Sequence, residues 1–355
     1  MQVGTAEAAP GELARGHLEV TDLPTGTPER LPVVIAEGER EGPTLWIIAG
    51  IHGNEHNGVA AAQDVMDEEL PGRLRGTVVC LPLLNPAGLR RSARTSYYHD
   101  DDPNRYFPDP TSDSVRPPKV QELIDERLYE AFVDSADALL DLHTAHVGSV
   151  PFVIRDRVLF GEERSEEEAE ELAEDLAALV EATGLPVVNE YPAEEYTEQS
   201  LQRSTAGAAL NAAGIPACTL ELGSHSVVEE DNRALGVRAV YGVMSELEMV
   251  DEVPADVAVE SPESPVEFPV RRYRGPRTDS AGIVRHRVEP GEAVSEGEVV
   301  ADVVTPHGER VAAVESEYEG YVLGRSGVTA YENDPVASMA IRDEGDLVVP
   351  RDGGE

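Results

Sequence analysis

The feature that most constrains this chain is a series of short runs that are apolar at nearly every position. Residues 45–49 (LWIIA), 77–84 (TVVCLPLL), 139–143 (LLDLH), 150–154 (VPFVI) and 217–222 (ACTLEL) offer almost no polar face to water. Strands of that kind belong in a sheet covered on both sides, because a half-wet strand alternates polar and apolar residues. Segments near 57–69, 117–135, 164–183, 199–213 and 229–249 instead repeat apolar residues at helical spacing. Strand and helix in alternation predict an α/β fold, a mixed sheet flanked by helices. Near residue 250 the pattern changes. Proline and acid crowd together over 253–269, which reads as a linker. Short β runs follow, broken by turns at Pro290-Gly291, Glu296-Gly297 and His307-Gly308. The expected organisation is an α/β domain over 1–252, the linker, and a small all-β module over 270–355.

Charge narrows the function. The 355 residues carry 69 acidic and 28 basic side chains, a formal net charge of −41. That field repels nucleic-acid phosphates and anionic lipid. No run approaches the roughly 18 apolar residues of a membrane span, and the first residues hold no apolar signal core. The expectation is a soluble, cytoplasmic protein. Cys80 and Cys218 each sit in an apolar run, which favours buried thiols over a disulfide. The acid is spread over helical segments such as 161–184, beneath which the apolar residues keep their period. Only one basic residue, Lys119, is a lysine. A hyperthermophile's ion pairs would bring lysine along with glutamate, and a GC-rich genome would explain arginine but not the acid. An acidic, lysine-poor surface fits a protein that works in concentrated salt, where repulsion is screened.

Four places carry candidate chemistry. The run LWIIAG leads into Ile51-His52-Gly53-Asn54-Glu55-His56-Asn57-Gly58, and α/β sheets bind ligands at the carboxyl ends of strands. His52 and Glu55 offer a nitrogen and a carboxylate, a usual pairing for zinc. A polar turn capping the next helix, with Asn57 as N-cap, would use the same residues. In LLDLHT, Asp141 and His143 are two apart and share a face, so the acid can orient the histidine. His52, Glu55 and His143 together would leave a coordination position open for water; alone, His143 reads as a core histidine. Glu221 ends the apolar run IPACTL, where a carboxylate needs a partner or a task, such as moving a proton near a zinc-bound water. Arg94 and Asn104-Arg105 lie in a polar segment after a strand, suited to a substrate carboxylate or oxyanion, or to ion pairs with Asp100–Asp102.

GIHGNEHNG, NPAGLRRSAR…DDDPNRYFP, LLDLHTA and TLELG occur in the order found in zinc carboxypeptidase-like deacylases. Over residues 30–245 the chain resembles the succinylglutamate desuccinylase/aspartoacylase family. The resemblance implies one zinc per chain on His52, Glu55 and His143. It also implies catalytic Glu221 and Arg94, with Asn104 and Arg105 at the substrate. Pro103 stands where the family usually has leucine and restricts Asp102 to extended backbone. His56, His99, His146 and His225 are left without a role. The Gly-Glu-x-Val-x-x-Gly-Glu turns of the C-terminal region are similar to biotinyl and lipoyl carriers. No lysine follows Lys119, which excludes carrier function and leaves a lid, a dimer surface or a support.

The resemblance implies a zinc-dependent hydrolase that cuts the amide of a small N-acyl amino acid, and it leaves a homo-oligomer open. A metallocarboxypeptidase would use the same site on peptides. A non-catalytic binding protein on this fold would have lost one of the polar positions, and all are present.

Overall fold

The computed structural model describes the chain except residues 99, 110–117, 162, 255, 256, 258 and 352–355. The α/β part contains β1 (Leu13–Asp22), β2 (Pro28–Glu37), β3 (Arg40–Ala49), α1 (His56–Val65) and β4 (Arg75–Leu81). It continues through α2 (Val120–Val133), β5 (Ala138–Ala145), β6 (Phe152–Arg155), α3 (Glu166–Ala182) and β7 (Val187–Asn189). It ends with α4 (Thr205–Asn211), β8 (Ala217–Ser224) and α5 (Glu230–Glu246). The central strands are parallel, in the order β8-β5-β3-β4. β2 and β1 extend one side antiparallel, while β6 and β7 extend the other.

The apolar runs are central for the reason anticipated: helices cover both faces. Leu45, Ile47, Leu140, Leu142 and Leu220 pack against α1, α3 and α5 on one side. Trp46, Ile48, Leu139 and Ala217 pack against α2 and α4 on the other. In α3, Ala169, Leu172, Leu176, Leu179 and Val180 are buried under an acidic outer face, and Ser165 with Glu168 caps its start. The helix expected over 199–213 is broken. A 3-10 turn (Leu201–Arg203) precedes α4, and Ser204 caps α4 by accepting from the Gly207 amide at 3.0 Å. The N-terminal hairpin β1–β2 was not legible, since its strands are only half buried. Both cysteines are buried free thiols.

The C-terminal region holds β9 (Val270–Tyr273), β10 (Gly282–His286), β11 (Val299–Val304), β12 (Arg310–Glu315), β13 (Gly320–Arg325) and β14 (Ala337–Arg342). Gly291, Gly297 and Gly308 take positive φ at the three expected turns, a backbone region that favours glycine. β10, β11 and β12 form a separate small sheet with Thr329–Ala330. β9, β14 and β13, however, continue the main sheet, which reaches 12 strands because Asn189 of β7 pairs with Arg271 of β9. Arg157 reinforces the junction. It is almost fully buried, pairs with Asp343 at 3.0 Å and donates to the carbonyl oxygens of Glu190, Tyr191 and Asp346.

Candidate metal centre and active site

Three candidate ligands meet at the carboxyl ends of two neighbouring strands. His52 and Glu55 come from the loop after β3, and His143 comes from β5. Gly53 lets that loop close up: a Cβ there would lie 2.2 Å from the Gly88 carbonyl carbon. Glu55 Oε1 lies 2.8 Å from His52 Nδ1, and Oε2 lies 2.9 Å from His143 Nδ1. One ligand atom from each residue falls within 4.8 Å of the others, and all three side chains are buried.

Each histidine turns its second nitrogen to a carboxylate. Asp141, fully buried, sets Oδ2 2.8 Å from His143 Nε2, as the two-residue spacing anticipated. Asp102 does the same for His52, with Oδ1 3.0 Å from Nε2. Sequence reasoning treated Asp102 only as an ion-pair partner, although it sits one residue before the Pro-Asn-Arg run. As expected of a residue before Pro103, its backbone is extended. Two nitrogens and one carboxylate, each imidazole braced from behind, form a donor set that fits zinc. Burial pushes the Glu55 carboxyl up, but the two imidazoles outweigh it and keep it ionised, well below the usual carboxylate range. Asp102 is likewise held low by His52 and Arg94 against the effect of burial.

Glu221 is in register with His143 on the adjacent parallel strand, as Thr219 is with Asp141. These four side chains therefore share one face. Glu221 Oε2 is buried and has no hydrogen-bond partner. Burial raises the Glu221 pKa and nearby Glu55 adds to it, while His143, Arg272 and Arg94 oppose.

Arg94 reaches both Glu55 Oε1 (3.2 Å) and Asp102 Oδ2 (2.8 Å), so it is an ion-pair partner at the candidate metal ligands. Asn104 accepts from the Thr205 amide (2.7 Å) and hydroxyl (2.9 Å), leaving its Nδ2 3.4 Å from His143 Nε2. Half-buried Arg105 donates to the Asn104 carbonyl. Among the described residues it is ion-paired with no carboxylate. Burial lowers its pKa while Asp102 and Glu190 pull it back.

Asn57 does not cap α1; Glu55 occupies that position. Asn57 instead donates to the Leu222 carbonyl at 2.6 Å and accepts from the Glu229 amide at 2.7 Å, tying α1 to the end of β8. The other histidines stay outside the triad. His56 has a buried Nε2 without a partner, His146 is exposed, and His225 contacts the Ser226 hydroxyl at 2.8 Å. His99 lies outside the described residues.

Fold and side chains together define an α/β protein with the His-Glu-His arrangement that zinc hydrolases use. The chain belongs to the succinylglutamate desuccinylase/aspartoacylase family, whose catalytic-domain model matches residues 41–247. The N-alpha-acetyl-L-2,4-diaminobutyric acid deacetylase of Halomonas elongata is 25% identical over 319 residues, covering 86% of this chain and 82% of that protein. The solved succinylglutamate desuccinylase/aspartoacylase of Rhodobacter sphaeroides shares the fold with a TM-score of 0.72 at 19% identity, covering 94% of this chain and 96% of that one. The product-bound ectoine utilization protein (EutE, DoeB) of Ruegeria pomeroyi matches with a TM-score of 0.72 at 17% identity, over 96% of this chain and 100% of that one. No helix of the described residues is long and apolar enough to cross a membrane.

Proposed function

We propose that the protein is a zinc-dependent hydrolase that removes the acyl group from a small N-acyl amino acid. The observation that carries this reading is the convergence of His52, Glu55 and His143 beside Glu221, whose buried Oε2 has no partner. His52, Glu55 and His143 would hold one zinc ion, which supplies a Lewis acid for the amide carbonyl and acidifies a water. Asp102 holds the His52 Nε2, and the Asp141 carboxylate lies against the His143 Nε2, so that each Nδ1 faces the shared centre. Glu221 takes a proton from the attacking water and returns it to the departing amine; its raised pKa suits both halves of that exchange. Arg94 places positive charge where an oxyanion develops. Arg105 holds the substrate carboxylate with a planar fork that orients the scissile bond. The Halomonas relative, a deacetylase of an N-acetylated amino acid, supports this substrate class.

A panel of N-acetyl, N-succinyl and dipeptide substrates tests the proposal, together with elemental analysis. About one zinc per chain and turnover of an N-acyl amino acid are expected. Glu221→Gln should keep the zinc but lose at least ~100-fold in kcat, the lower range for a positioned acid–base group. Exclusive cleavage of dipeptides would replace this reading with a carboxypeptidase.

A further inference from the structure

The C-terminal region sends Arg272 out on the sheet face that carries the candidate active site. Val270, at the start of β9, packs with Phe152, Ile154 and Val188, and Phe152 is the register partner of Glu221. Strand side chains alternate, so Arg272, two residues past Val270, leaves the sheet on the face that carries Glu221. Its guanidinium is ion-paired with buried Glu190 and lies over the Tyr191 ring, 5.1 Å from the centroid. That support is rigid. Glu190 Oε2 accepts from the Tyr191 amide at 3.1 Å, and Arg157 pins both the Glu190 and Tyr191 carbonyls.

Among the described residues, the Arg272 guanidinium is ion-paired with Glu190 alone, and its side chain remains about a quarter exposed (26%). Arg105 stands near enough that the two arginines repel, while Glu190 attracts both. Arg272 favours the ionised form of Glu221, as does Arg94 among the other side chains of the site. Glu190 supplies one negative charge to the two guanidiniums, and a further anion held between them would offset the positive charge that is left.

We propose that Arg272 is a substrate-binding residue supplied by the C-terminal β region. Together with Arg105 it takes the carboxylate of the amino acid whose N-acyl bond is cut. The deacylase reading is needed only to say which carboxylate this is.

The test compares each substrate with the analogue in which a carboxamide replaces the carboxylate. Wild type should prefer the carboxylate strongly. Arg272→Met should raise KM between about tenfold and about a hundredfold, the worth of a charged hydrogen bond, with kcat within about threefold. The carboxylate-to-carboxamide preference should fall by the same factor, at normal zinc content and melting temperature. Arg272→Lys should recover only part of the loss, because it lacks the fork. Methionine leaves Glu190 unpaired, so the double variant Glu190→Gln/Arg272→Met is measured beside it with the same expectation. An unchanged preference in the folded, zinc-loaded variant overturns the proposal. If wild type cuts only peptides, the deacylase reading alone falls. The same ratio, measured on a peptide and its C-terminal amide, then decides whether Arg272 holds a carboxylate.

Discussion

Asp102 is the sharpest test of how the candidate metal centre is assembled. Asp102→Asn preserves the shape and can still accept from the Asn104 amide, now at 3.0 Å. It removes a carboxylate from His52 Nε2 (3.0 Å) and from Arg94 (2.8 Å). The imidazole then loses basicity and orientation, and Arg94 is left with Glu55 Oε1, an oxygen of a candidate metal ligand. Carboxylates behind ligating histidines change metal affinity by about 10- to 100-fold, or about 1.4–2.7 kcal/mol. The two effects act in the same direction, so Asp102→Asn should fall in the upper part, a zinc Kd raised about 30- to 100-fold. Asp141→Asn acts only through His143 and should fall in the lower part, about 10- to 30-fold. Competition against a zinc-chelating dye measures both, with circular dichroism checking the fold. A rise below about threefold in folded Asp102→Asn would refute the reasoning and leave Asp102 an ion-pair partner of Arg94 alone.

Other expectations follow from the same geometry. Arg157→Met leaves Asp343 buried without its guanidinium, which costs about 3–5 kcal/mol and, for 355 residues, lowers Tm by about 5 °C in calorimetry; no change would mean the junction is held elsewhere. Burial, with Glu190 adding, pushes the Asp156 carboxyl up to about 8, above its unfolded value. The native chain therefore holds the extra proton, and stability falls as pH rises between about 4 and 8. Asp156→Asn should flatten the fall of Tm across that window, and parallel wild-type and variant curves would count against it. Finally, the −41 charge should make Tm rise from dilute buffer to molar KCl, as the screening length shrinks from about 30 Å at 0.01 M to about 3 Å at 1 M; a flat Tm would argue against salt adaptation.

Local chemistry made much of this molecule legible before any coordinates. Runs such as LWIIA and LLDLH have no polar face, so they can lie only in the covered centre of a sheet. The two-residue strand period places Asp141 behind His143, and HGNE holds two of the three candidate ligands in one turn. The hairpin β1–β2 stayed hidden because half-buried strands carry a weak pattern. The helix expected over 199–213 breaks at Ser200, which takes positive φ. What only tertiary structure decided is which distant residues face each other. Asp102 reaches His52 across 50 positions, Glu221 comes into register with His143, and Asn57 binds the end of β8 rather than capping its own helix. Arg272 and Glu190 belong to no motif, and nothing in their neighbours along the chain announces them. Their meeting depends on β7 pairing with β9, which carries the main sheet past residue 269 and into the C-terminal region. The apolar pattern of a strand specifies that it is covered; it does not specify its neighbour, which is settled by the packing of the whole sheet.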